Sequence, residues 1–91
     1  MGLTAKQRKA LKEQAHHLKA VIRVGQKGLS DNLLQETSRA LDTHELIKAH
    51  IALDDREARQ QCAEELARRS RAELIGRIGK ICILYRKRAE T

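Results

Sequence analysis

Between Glu45 and Leu53 apolar and polar residues alternate. Ile47, Ala49, Ile51 and Leu53 fall on one side, and Leu46, Lys48 and His50 on the other. A period of two predicts a β-strand with one buried face. Lys48 and His50 then stand on a sheet face that is either positively charged toward a ligand or simply part-solvated. Upstream, Leu11, Ala15 and Leu18 recur at helical spacing, in a helix opened by Thr4 and Gln7 as a capping box and ended at His16 and His17. Ala20 to Val24 is β-branched and almost continuously apolar, which predicts a short interior strand covered on both faces. A second helix is expected from Asp31 to His44, with Leu33, Leu34, Thr37 and Leu41 inward. Asp54 and Asp55 stop the alternating strand and cap a third helix to about Ser70, with Ala58, Cys62 and Leu66 as its stripe. From Ala72 to Arg86 two strand-like runs flank Gly79-Lys80, the pattern of a type II′ hairpin. Gly76, inside the first run, marks a bulge or a close approach.

The predicted order is α-β-α-β-α-β-β, an α/β fold. Strand–helix–strand crossovers favour parallel neighbours, and the hairpin adds an antiparallel pair. The expected architecture is two-layer, with a four-stranded mixed sheet and some helices sharing a face. Its strand order is left open by the pattern. The 91 residues suit a single domain, closed by a short basic tail from Arg86.

Charge changes the picture. Nineteen Lys and Arg oppose twelve Asp and Glu, a formal excess of +7. Such an excess favours a polyanionic partner, nucleic acid before an anionic membrane surface. No apolar run approaches the ~20 residues that span a bilayer, and the N-terminus lacks the apolar core of a secretory signal, so a soluble, cytoplasmic chain is expected. Cys62 and Cys82 form neither a disulfide framework nor a metal-ligand spacing, and read as small buried hydrophobes. Tyr85 is the only aromatic residue, so RNA binding by rows of stacked rings is excluded. His16, His17, His44, His50, Asp54 and Asp55 make no triad, metal set or carboxylate pair. Neither an enzyme nor a cofactor is expected.

Two stretches carry the candidate chemistry. In the first helix Lys6, Arg8, Lys9, Lys12 and the following Lys19 meet only Glu13, a one-sided charge that suits an RNA-facing helix as well as a solvated one. The third helix mixes signs and ranks below it. The second stretch is Gly25-Gln26-Lys27-Gly28-Leu29-Ser30, a Gly-x-x-Gly turn leading to a helix cap. Amides of Gly28 and Leu29, with the helix start after Ser30, suit a phosphate, and Lys27 would neutralise it. Lys6, Lys9, Lys12 and Lys19 extend that track if the first helix lies beside the loop.

Residues Leu18 to Ser30 resemble the signature of the CRM domain (chloroplast RNA splicing and ribosome maturation), whose stand-alone bacterial form is the YhbY family. His44-Glu45-Leu46-Ile47-Lys48, Asp54-Asp55-Arg56 and Gly79-Lys80 through Leu84-Tyr85-Arg86 agree in order and spacing, so the resemblance spans about Leu3 to Arg86. It implies an RNA-binding domain shaped like the C-terminal domain of translation initiation factor 3. It also implies association with ribosomal RNA of the large-subunit precursor, as an assembly factor. In that family the Gly-x-x-Gly loop is assigned an RNA contact by analogy with KH domains, and the matching positions are Gly25, Gln26, Lys27 and Gly28. Ser30 stands where threonine is frequent, and the tail is short for a long tail-mediated contact. The rival reading is a protein-interaction module that docks on ribosomal or assembly proteins.

Overall fold

The computed structural model describes residues 2–88. Its elements run α1 (Ala5–Ala15), β1 (Ala20–Val24), α2 (Asp31–His44), β2 (Leu46–Ile51), α3 (Arg56–Arg69), β3 (Glu73–Ile78) and β4 (Ile81–Tyr85). Each helix begins at a side-chain cap, as the sequence suggests. Thr4 and Gln7 form the reciprocal capping box of α1, with bonds of 2.8 and 3.1 Å. The Ser30 hydroxyl accepts from the Leu33 amide, and the Asp55 carboxylate from the Ala58 amide. Such caps satisfy amides that no helical carbonyl reaches.

The sheet order is β1-β2-β4-β3. β1 and β2 are parallel; β4 runs antiparallel to both β2 and β3. α2 and α3 share one face, over a core that includes Ile22, Val24, Leu41, Ile47, Ile51, Leu66 and Leu84. These are the expected two layers. α1 adds a third, partial one on the opposite face, where Ala15, Leu46, Ile75 and Ile83 are buried beside Leu3, Leu11 and Tyr85. Arg8 ties α1 to β3, donating to the Leu74 carbonyl and the Glu73 carboxylate.

Several expectations are corrected. β1 is an edge strand covered on one face: Ile22 and Val24 are buried, whereas Val21 and Arg23 are exposed. A short β-branched run reads alike in both settings, and α1 packs over β2 and β3 instead of β1. Leu18 falls beyond the end of α1 and is exposed. In α3 the buried residues are Ala63, Leu66 and Ala67, while Ala58 and Cys62 sit half-buried at the flank. Glu45 is not part of β2, because it takes a left-handed conformation (φ 62°) that stops α2.

The hairpin matches its prediction. Positive φ falls at Gly79 and not at Lys80, as a type II′ turn requires. Gly76 meets both expectations at once. The β3 register shifts between Leu74 and Gly76, and a Cβ at Gly76 would lie 2.8 Å from Cε of Lys12. Cys82 is buried and Cys62 half-buried. Burial, reinforced by the neighbouring Cys62, pushes the Cys82 thiol up to about 12.

Arg86, expected to begin a basic tail, is structural. Its guanidinium donates to the carbonyls of Ser70 and Ser38, to the Ser38 hydroxyl and to the Asp42 carboxylate. With its side chain only 20% exposed, it fastens β4 to α2 and to the end of α3. Replacing Arg86 by Ala should cost about 2 kcal/mol in urea unfolding, since charged hydrogen bonds are lost and part-buried carbonyls are left open. Arg86→Lys should recover little of this, because an ammonium cannot span the same acceptors.

Candidate nucleic-acid interface

The Gly-x-x-Gly segment leaves the C-terminal end of β1 as a tight turn. The Gly28 amide donates to the Gly25 carbonyl at 3.1 Å, and Gly28 holds φ +79°. This corrects the expectation that the Gly28 amide is offered to a phosphate, because it is already bonded within the turn. The Leu29 amide has no intramolecular acceptor among the described residues. Space beside both Gly25 and Gly28 is open, with nothing within 4 Å of where a Cβ would stand. Lys27, Gln26 and Ser30 are exposed, while Leu29 packs against the core and anchors the loop. Asp31, in the first turn of α2, already offers a negative charge to the helix dipole and opposes a phosphate seated over the helix axis. The electropositive side of the loop is therefore the Lys27 side.

The same end of the sheet carries the β2–α3 connection and the hairpin tip. Arg59 donates to the carbonyls of Leu53 and Asp54, both at 2.8 Å. Lys80 pairs with Asp54 at 3.2 Å, and the Ile51 amide donates to the Lys80 carbonyl. These contacts brace the platform beside the Gly-x-x-Gly turn.

Below the loop, the sheet face not covered by α2 and α3 is partly open. Strand register assigns its residues to two rows. The row nearer the loop runs Arg23, His50, Ile81 and Ile78 from β1 to β3. The next runs Lys48, Ile83 and Gly76, with Lys12 of α1 lying over Gly76. Neither row contains a carboxylate. Arg23 makes no ion pair among the described residues and stands two positions before Gly25 on the exposed side of β1. Loop and face are therefore continuous in positive charge.

The lysines singled out in the sequence are only partly gathered here. Lys12 borders the open face through its contact at Gly76. Lys6 precedes buried Ala15 by nine residues, half a turn round the helix, and so points away from the sheet. Lys9 is exposed on α1 with no ion pair among the described residues. Lys19 lies just before β1, at the end opposite the loop and separated from it by the length of the strand, about 16 Å at the usual rise. α1 therefore does not run alongside the Gly-x-x-Gly turn. Arg23 was missed, although a cation interrupting an apolar strand directly before the loop was a legible signal.

A family model of the CRS1 / YhbY (CRM) domain matches residues 3–86. Over 87 residues the chain is 45% identical to the probable RNA-binding protein PA4753 of Pseudomonas aeruginosa, covering 96% of this chain and 84% of that one. An RNA-binding protein of Haemophilus influenzae is 41% identical over 88 residues, with 97% and 89% covered. The solution structure of SAV1595 from Staphylococcus aureus superposes with a TM-score of 0.86 at 30% identity, covering 98% of this chain and 93% of that one.

The two loop glycines should respond differently to alanine. Gly28→Ala forces a side chain into a left-handed conformation and should lower stability by about 1–2 kcal/mol. Gly25→Ala meets neither a neighbour nor a positive φ and should leave the melting temperature within about a degree or two. Thermal unfolding followed by circular dichroism reads both.

Proposed function

This chain belongs to the CRS1 / YhbY (CRM) domain family, and on that premise we propose that it is a non-catalytic RNA-binding protein. Its target is ribosomal RNA of the large-subunit precursor, and its role is that of an assembly factor. The relatives' names as RNA-binding proteins support the first part of this reading. The observation that carries it is the carboxylate-free row of Arg23 and His50, continuous with Lys27 and flanked by Lys48 and Lys12.

The contact works by charge and backbone access. Lys27 and the open loop backbone approach one phosphate, Gly25 and Gly28 leaving no Cβ in the way. Arg23 takes a neighbouring phosphate with its planar fork, and Lys48 and Lys12 continue the path as point charges. Neutralising each phosphate releases counterions, so binding weakens steeply with salt. Phosphate contacts position the RNA without reading its sequence.

Charge reversal tests the path. Lys27→Glu and Arg23→Glu should each weaken binding to a structured ribosomal RNA fragment several-fold and lower the salt slope by about one unit or more, with the fold intact. Lys6→Glu, on the far side of α1, should have the smallest effect. Equal losses at all three positions would leave only a diffuse electrostatic attraction. For the target, crosslinking in cells should concentrate on large-subunit precursor RNA, and sites scattered over messenger RNA would overturn the assembly role.

A further inference from the structure

The row nearest the loop is not only basic. Ile78 is 64% exposed and forms a cross-strand pair with Ile81, which in turn faces His50 across the β4–β2 ladder. An exposed isoleucine at the β3 end of a row that begins with Arg23 serves no phosphate, because a phosphate must keep its hydration or be given donors. A flat apolar platform about two strands wide, some 10 Å, is instead the size of a nucleobase.

His50 supplies a second, independent feature. Its Nδ1 is buried and has no hydrogen-bond partner among the described residues. A proton at Nδ1 would be a buried donor without an acceptor, whereas the tautomer with its N–H at Nε2 places the donor on the other nitrogen. In that tautomer the ring offers a donor at Nε2, on the strand next to Ile81. On its other side, in register, stands Arg23.

We propose that this row binds one unpaired nucleobase of the RNA, laid flat on Ile78 and Ile81 and held at an acceptor on its edge by His50 Nε2, while Arg23 takes the adjoining phosphate. The proposal rests on the RNA-binding reading above and adds base contact to it. Charge complementarity selects the occupant: the platform is bordered by Arg23, Lys48 and Lys12 and by no carboxylate of either row, so a polyanion whose bases have apolar faces matches it. An aliphatic platform grips a base less strongly than an aromatic one, which suits a chain whose only aromatic residue, Tyr85, packs under α1.

Two labelled RNA probes decide the matter by fluorescence anisotropy: a uridine dodecamer, and an abasic dodecamer with the same ribose–phosphate backbone. The protein should bind the uridine probe about fivefold more tightly, less than an aromatic platform would give. Ile78→Ser should bring that ratio toward one while leaving abasic affinity and its salt slope unchanged, and His50→Ala should lower the ratio as well. Lys27→Glu should weaken both probes in parallel. Ile78 is largely exposed, so its substitution tests the platform without endangering the core. Equal affinity of the unaltered protein for the two probes would overturn the base site and leave phosphate binding standing. Failure to bind either probe would overturn the base site, and binding of the structured ribosomal RNA fragment would then show that the RNA-binding reading survives it. Loss of Ile78 without effect on either probe would also overturn the base site, and would mark the platform as a protein-docking face.

Discussion

Burying Ile47, Ala49 and Ile51 against α2 and α3 obliges Lys48 and His50 to face the other way, because successive residues of a strand alternate. β2 is paired on both sides, so its orientation propagates. Arg23 on β1 and Ile81 and Ile83 on β4 follow in register. The hydrophobic core on one side of the sheet thus fixes the composition of the face on the other. A slip of one residue in β2 would put two cationic or ionisable groups into the core and three apolar residues outside.

What covers that second face decides whether its charge is usable. α1 is fastened over β2 and β3 by Arg8 and by a small apolar cluster, and it leaves β1 and the row nearest the loop uncovered. Covering the whole face would need a second helix. Lys12 shows the economy of the arrangement. Its stem occupies the place where Gly76 has no side chain, so a glycine on β3 sets where a cation of α1 stands.

The fold was largely legible because its signals are local. The alternation in β2, the capping box at Thr4, the caps at Ser30 and Asp55 and the Gly79 turn all act over a few residues. What was not legible depends on distant partners. The edge position of β1 follows from strand order, which no local pattern encodes. The buried side of α3 depends on alanines, whose small size lets either flank pass for the inner one. Arg86 looked like a tail because its acceptors lie on α2 and at the end of α3, from 16 to 48 residues away. The site divides in the same way. The Gly-x-x-Gly turn was visible as a motif, whereas the bonded Gly28 amide, the separation of Lys19 from the loop and the partnership of Arg23 with His50 required the sheet.

The position of β1 at the edge bears on how copies of the protein meet one another. An unpaired edge invites a strand from a second molecule. Here that edge is five residues long, its register is broken between Ala20 and Ile22, and it carries Lys19 at its entry and Arg23 near its exit. Two such edges brought together would set like charges side by side along a strand too short and too irregular to offset them. Of these two cations only Arg23 belongs to the face proposed to meet RNA, so on that reading one arginine both contacts the ligand and guards the strand edge.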